Sequence, residues 1–293
     1  MKKAFFVLAL FTLGKLQALP VLNPTDPTLY TNNYWWDRDY YYCKYDSWLD
    51  RFSLHLGFYG DYVYDRKLGI DRKLEVIDGA TFSLGGDFIG TTLATNAGIV
   101  ALDICHWIEI YGTFGVTNLF TQWNGTEFGG IIDERVLDFN FSPEVSYTAG
   151  VSVALWECGS FTIGAQGQYF YCNPYLTSVT FYENGSKTNF DHNNRCTYQE
   201  YQGAVAAAYT FSTRNFAFIP FGSVDFSGVN WNLNNLFELV LEEEVPNFAT
   251  ADQERITGWA IGITALLCDL ASVTVEGRFA NEKALHVNGQ FAF

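Results

Sequence analysis

From about Arg51 onward the chain is written in one repeating pattern, in which apolar and polar positions alternate for roughly ten to sixteen residues and then meet a turn. Phe52, Leu54, Leu56, Phe58, Tyr62 and Tyr64 fall on one side, opposite Ser53, His55, Tyr59 and Asp61. Val145, Tyr147, Ala149, Val151, Val153 and Leu155 oppose Glu144, Ser146, Thr148, Gly150 and Ser152. Phe161, Ile163, Ala165, Gly167, Tyr169 and Tyr171 oppose Thr162, Gln166 and Gln168, and Tyr201 to Phe211 sets Val205 and Tyr209 against Gln202 and small alanines. Ala271, Val273, Val275, Gly277 and Phe279 oppose Ser272, Thr274, Glu276 and Arg278. The last block places Leu285, Val287, Gly289, Phe291 and Phe293 against His286, Asn288, Gln290 and Ala292. A two-residue period means extended strands, because successive side chains leave a strand on opposite faces.

Length decides what kind of strand. Globular strands run to about five or six residues, whereas a tilted strand crossing a bilayer needs about nine to eleven. The pattern therefore predicts an all-β fold, a transmembrane antiparallel β-barrel of about twelve strands, the first near Leu29–Tyr42. A further hairpin inside a long loop raises the number as far as sixteen without changing the parity. A closed barrel leaves no unpaired edge, as lipid requires. Tight connections are expected at Asp103–His106, Glu157–Ser160, Ser212–Asn215 and Cys268–Asp269, and long polar loops at 123–141, 172–197 and 231–253. With Phe293 on the periplasmic side, stepping back through the hairpins places all four tight turns there and the long loops outside. A C-terminal strand closing on an aromatic is also what outer-membrane barrels present to their assembly machinery.

The start of the chain fits export. Lys2 and Lys3 precede an apolar run from Ala4 to Leu13, and Leu16-Gln17-Ala18 makes a small-residue cleavage site. Residues 1–18 are read as a signal peptide and 19–293 as a single barrel domain, since no linker divides them. The run is about half the length of a spanning helix, and no later stretch supplies one. Aromatic residues make up 18% of the chain, which suits strands and membrane boundaries better than a soluble core. A mean hydropathy of +0.01 is the average of lipid-facing and water-facing residues in alternation. The net charge of −15 excludes a nucleic-acid partner, whose phosphates need a basic surface, and loss of Lys2, Lys3 and Lys15 makes the mature chain more acidic still. Most of the acids are read as solvated loops, the rest as an electronegative pore.

The chain resembles a known family at specific places. Leu19-Pro20-Val21 with Asn23-Pro24 resembles the processed start of the chlamydial major outer membrane porins. Gly57-Phe58-Tyr59-Gly60-Asp61-Tyr62-Val63-Tyr64-Asp65-Arg66 resembles their first well-marked strand, and Ala154-Leu155-Trp156-Glu157-Cys158-Gly159 a central turn. Val273-Thr274-Val275-Glu276 and Ala284-Leu285-His286-Val287-Asn288, with Gln290-Phe291, resemble their C-terminal hairpin. The likeness runs end to end, thins in the long loops, and suits a shorter, divergent member. It implies a diffusion porin in the bacterial outer membrane, a homotrimer, and disulfide links to periplasmic cysteine-rich proteins. Trimmed loops remove the ground for an adhesive or antigenic role there.

The candidate chemistry is sparse. Strand parity nominates His55, Asp61, Glu109, Gln166, Gln168, Asp225, Glu276 and Arg278 as pore-lining residues, and their balance predicts a weak cation preference. Six cysteines in an exported chain are disulfide candidates. Cys105, Cys158 and Cys268 fall in tight turns on the periplasmic rim and Cys43, Cys172 and Cys196 at the other end, with a Cys172–Cys196 bridge or buried free thiols both open. No metal site is expected, because there is no C-x-x-C pair and the histidines are scattered. No nucleotide motif points to a cofactor. An enzyme is not expected either: no G-x-S-x-G elbow frames His55, His106, His192 or His286. Tyr34-Trp35-Trp36 and Tyr40-Tyr41-Tyr42 suit a membrane girdle or barrel mouth, and Asn124-Gly125-Thr126 and Asn184-Gly185-Ser186 are read as turns. The expected function is passive diffusion of small hydrophilic solutes and ions through a porin. The alternatives are a structural or adhesive envelope protein, cross-linked by disulfides and too narrow to conduct, and a secreted soluble β-sandwich.

Overall fold

A computed structural model describes residues 52–77, 80–104, 107–128, 135–183, 186–213, 216–232, 250–253, 256–267 and 271–293. The signal segment, the strand expected near Leu29–Tyr42 and the aromatic clusters at 34–36 and 40–42 lie outside the described residues. The described strands are β1 (Phe52–Ile77), β2 (Ala80–Ile104), β3 (Ile108–Phe128), β4 (Arg135–Phe141), β5 (Glu144–Cys158), β6 (Phe161–Cys172), β7 (Tyr175–Glu183) and β8 (Ser186–Arg195). They continue with β9 (Tyr198–Tyr209), β10 (Phe211–Ser212), β11 (Phe216–Asn232), β12 (Thr250–Gln253), β13 (Thr257–Leu267), β14 (Ala271–Phe279) and β15 (Glu282–Ala292).

Pairing closes the sheet. β1 hydrogen-bonds to β2 on one side and to the C-terminal β15 on the other, every pairing being antiparallel. Around the ring the order is β1, β15, β14, β13, β11, β9, β6, β5, β3 and β2, so ten of the fifteen described strands form the barrel. The remaining five are short additions: β4, β7 and β8 extend the sheet from the upper part of β3, β12 bridges β11 and β1, and β10 pairs with the start of β11. The expected even, antiparallel barrel is present. Its described ring counts ten strands rather than twelve: the strand expected near Leu29–Tyr42 lies outside the described residues, and the segment expected at 74–88 is divided between β1 and β2, the latter running on through 91–104.

The register also fixes direction. His55 pairs with Ala292, and Phe52 with Ile104, so the C-terminus and the β2–β3 reversal share one end of the barrel. Cys158 pairs with Phe161, and Phe216 with Leu267 opposite Ala271, placing the other tight reversals at the same end. The far end carries the longer structure. Much of what reads as long polar loop is itself strand: 123–128 continues β3, β4 occupies 135–141, and β7 and β8 lie within 175–195. The reason is residual alternation, since Leu137, Phe139 and Phe141 of β4 and Leu176 and Val179 of β7 are buried between polar neighbours. Asn124-Gly125-Thr126 correspondingly lies in β3, paired to β2 and β4, rather than in a turn. Residues 233–249 of the third expected loop lie outside the described residues.

The wall is inverted relative to a soluble protein. Leu56, Phe58, Val100, Ile110, Phe114, Val151, Val224, Ile261, Val273 and Leu285 are exposed, while the alternate positions bury Thr, Ser, Gln, Asp, Glu and Arg. That is the pattern of a strand wall between lipid and an inner space. Exposed aromatics mark both edges of the apolar band. Phe52, Trp107, Trp156, Phe161, Tyr209, Phe211, Phe216, Phe291 and Phe293 gather at the tight-turn end. Trp259 lies 4.8 Å from Phe279 towards the other end, and Phe114 lies 5.4 Å from Tyr147. The two edges are the aromatic girdles of a membrane barrel.

The candidate permeation path

All eight residues nominated by parity are buried on the inward face: His55, Asp61, Glu109, Gln166, Gln168, Asp225, Glu276 and Arg278. They do not form one ring. His55 and Glu109 lie near the tight-turn end, Gln166 and Gln168 at mid-height on β6, and Asp61 with Arg278 higher up. The lower lumen tapers by pairing large with small residues. Tyr59 and Tyr111 reach inward, while the β9 wall supplies Ala204, Ala206 and Ala208. Tyr111 donates to Gln168 at 2.5 Å and accepts from Gln166, and Gln168 donates to Gln202 at 2.8 Å.

Above this layer the lumen is crossed by charge. Arg66 on β1 donates to Glu282 of the adjacent β15 at 2.8 Å and to Glu200 of β9 at 2.8 Å. β1 and β9 stand opposite one another in the ring, so this guanidinium spans the channel. Arg278 contacts Asp61 and reaches Glu282 at 2.7 Å, with Glu276 at 3.9 Å. Two guanidinium groups thus share Glu282, Arg66 at Oε2 and Arg278 at Oε1, while each reaches a second carboxylate, which favours the spread donors of Arg over the single ammonium of Lys.

Above this Arg66 latch an aromatic plug fills the mouth opposite the tight turns. Trp231 of β11 packs against Phe88 of β2 at 5.3 Å, Phe141 of β4 at 5.6 Å and Tyr198 of β9 at 5.9 Å. Cys172 and Cys196 are buried free thiols in the same cluster. The Cys196 amide donates to the Pro174 carbonyl at 3.0 Å, and burial pushes its thiol up to about 12. Each packs in this structure as a small apolar residue. Cys158 is exposed at the tight-turn end, and Cys43, Cys105 and Cys268 lie outside the described residues.

Sequence parity missed Arg66, Glu200, Glu282 and Asp103. The inward phase of β1 runs through Asp61 and Val63, then slips at a bulge before Arg66 and Leu68. A strict two-residue period puts Arg66 on the lipid side, and a bulge is what re-aims it. Glu200 was legible, two residues before Gln202 on the same face. Asp103, expected in a turn, lies within β2 one residue before its end and holds His55 Nε2 at 2.8 Å. Ser53 Oγ contacts that same nitrogen at 3.1 Å. A proton relay needs the acid and the nucleophile on different ring nitrogens, so this trio does not make a catalytic triad. Of the other histidines, His286 packs against Tyr59 with its ring tilted and the centroids 4.9 Å apart, and His106 lies outside the described residues.

Comparison with known proteins bears on the whole chain. The family described as Chlamydia major outer membrane protein matches residues 1–87. The major outer membrane porin of Chlamydia pneumoniae is 24% identical over 96% of this chain and 96% of its own. The serovar C major outer membrane porin of Chlamydia trachomatis is 24% identical over 100% and 99%. The chain is similar along its whole length to the chlamydial major outer membrane porins. It is an outer-membrane protein. The alignments, of 387 and 399 positions, exceed the 293 residues here, so those porins carry segments that this relative lacks. Among solved structures, the outer membrane protease OmpT of Escherichia coli covers 82% of the chain at 10% identity with a TM-score of 0.38. The β-domain of the Bordetella autotransporter BrkA covers 81% at 9% identity with a TM-score of 0.42.

Proposed function

We propose that the protein is an outer-membrane porin through which small hydrophilic solutes and ions diffuse without catalysis. The observation that carries this reading is the end-to-end likeness to porins, coinciding with a barrel whose inward face is polar and charged. Apolar residues line narrow plugged barrels well; a lumen of Thr, Ser, Gln and acids is suited to water. For solute to pass, the Arg66 latch and the plug around Trp231 must part, so conduction requires opening at the outer mouth.

A second reading has its own support. A ring of ten strands is close to the size whose interior side chains fill unaided, and here they meet across it. On that reading the barrel is a structural envelope protein. The lipid-facing band contacts outer-membrane lipid, the strand ending in Phe293 engages the barrel-assembly machinery, and copies associate as a homotrimer. The exposure of the Cys158 thiol supports a cross-link to periplasmic cysteine-rich proteins. Refolding residues 19–293 in detergent and recording single-channel currents, with and without reductant, separates the two. Discrete conductance steps support the porin; silence in both conditions supports the structural barrel.

A further inference from the structure

The lower lumen is sealed from water although much of its wall is built of small residues. Ten strands, about 4.8 Å apart and tilted by about 40°, make a ring about 20 Å across. In that ring β5 and β14 stand opposite one another. β5 turns Ser152 and Ala154 inward, and β14 turns Ser272 and Thr274 inward. Side chains this short cannot meet across such a gap. Yet all four are at most 3% exposed, and so are Ala204, Ala206 and Ala208 of β9.

The large inward side chains do not close the gap, because they fold down along the wall. Tyr111 lies over Gly150 of β5, where a Cβ would strike its ring, and bonds to Gln166 and Gln168 of β6. Tyr59 packs on His286 of the adjacent β15, and Phe221 on Gly262 of the adjacent β13. An empty space wide enough for water would leave the small residues exposed. Their burial means that the space they face is occupied by another part of the chain. The wall also offers it polar contacts: Ser152 Oγ, Asn288 Oδ1 and both polar atoms of the Gln290 amide are buried with no hydrogen bond among the described residues. Buried polar groups are nearly always paired, so an occupant carrying N–H, O–H and C=O groups suits this wall.

β1 and β15 pair directly, so residues 19–51, which lead into β1, have no place in the ring. They join the barrel at Phe52, at the tight-turn end, beneath this lumen. An extended chain advances about 3.3 Å per residue, so residues 34–51 cover the height of β1 from Phe52 to Arg66. Their composition complements the wall: Tyr34, Trp35, Trp36, Tyr40, Tyr41 and Tyr42 are bulky with polar tips, where the wall is small and polar. The apolar run Ala4–Leu13 would instead set hydrocarbon against hydroxyls and amides. We propose that residues 19–51 fold back into the barrel and fill the lower lumen beneath the Arg66 latch. This holds for the barrel whether or not it conducts; on the porin reading it adds a second barrier below the first.

The test is limited trypsin digestion of residues 19–293 refolded in detergent, read by mass spectrometry. Arg38 and Lys44 are the cleavage sites within residues 19–50. In the folded barrel both should be cut about tenfold or more slowly than in a free synthetic peptide of residues 19–51, because the filled lumen must open first. Ser152→Trp forces a large side chain into the occupied space. It should lower the urea midpoint and bring cleavage at both sites to within about twofold of the free peptide. Heat-modifiable gel mobility verifies that the variant folds. Should it not fold, Trp35→Ser combined with Trp36→Ser loosens the segment from its own side and should expose both sites in a folded barrel. Cleavage of the unaltered folded chain at the rate of the free peptide overturns the proposal. Protection that persists in whichever variant folds also overturns it, since the segment is then held elsewhere. None of these readouts is a current, so a silent barrel counts against the porin reading alone and the digest still decides the position of the segment.

Discussion

The inner space of this barrel is filled in two different ways at its two ends. Below Arg66 the lumen is lined by hydroxyls, amides and carboxylates in short hydrogen-bonded chains, such as Thr95 with Thr117 at 2.8 Å and Thr117 with Ser146 at 2.8 Å. Above it β2, β3, β9 and β11, with the added β4, bury Phe88, Trp123, Phe139, Tyr198 and Trp231. The lower region depends on polar groups that water can replace. The upper region depends on apolar area and close packing, for which water is no substitute. A barrel that must both persist and open is best served by such a division: the plug supplies cohesion, and the polar lumen supplies a path once the plug moves.

The comparison is broken most directly at Trp231. It contacts Phe88, Phe141 and Tyr198, three strands that meet at the mouth. Trp231→Ala should destabilise the barrel by about 3–5 kcal/mol, as truncation of a large buried aromatic does. The urea midpoint in detergent measures this, and channel recordings should show a larger open fraction. Loss of stability without any change in conductance would make the plug a buttress rather than a gate.

Arg66 sits on the boundary and ranks next. Arg66→Ala leaves Glu200 and one oxygen of Glu282 without their guanidinium in a buried place, at a cost of about 3 kcal/mol. Flooding of the lower lumen reduces that cost, so a loss nearer 1 kcal/mol would mean that water already reaches the latch. The same unfolding series reads out both possibilities.

How much of this was legible beforehand follows the same division. The ring walls, their direction and the eight inward residues came from a two-residue period, which is strict where lipid lies on one side and water on the other. That constraint relaxes above the membrane. There 123–141 and 172–197 are polar enough to pass for loops, although Leu137, Phe139 and Phe141 keep the period of β4. The latch was hidden by a bulge at Val63–Asp65, which moves Arg66 into the lumen phase. Its partner Glu282 follows a turn through Ala280, which resets the count in β15. Local backbone irregularity, not weak patterning, concealed the charged centre.

A gentler cut in the lower lumen sharpens the contrast. Thr95→Val removes one hydroxyl from the Thr95–Thr117–Ser146 chain and keeps the volume, leaving Thr117 bonded to Ser146. The expected cost is about 1 kcal/mol or less, the net worth of a hydrogen bond whose surviving partner stays satisfied. A cost above about 2 kcal/mol in the same detergent assay would show that the lower lumen is as dry as the plug.

The smallest effect belongs to the turn that feeds the latch. Ala280, with φ 82°, is the one non-glycine residue with positive φ among the described residues, and Asn281 beside it donates to Ser227 at 2.8 Å. A left-handed L-residue costs roughly 1–2 kcal/mol, which Gly avoids. Gly also gives the unfolded chain more freedom, taking back about 0.4–1 kcal/mol. The balance favours Ala280→Gly by about 0.5 kcal/mol, a small upward shift in the urea midpoint. The same variant loosens the approach of Glu282 to Arg66 and Arg278, so its sign is informative. A midpoint that falls would mean that the latch draws more from a stiff turn than the turn loses in strain, and would tie the charged centre to the backbone that hid it.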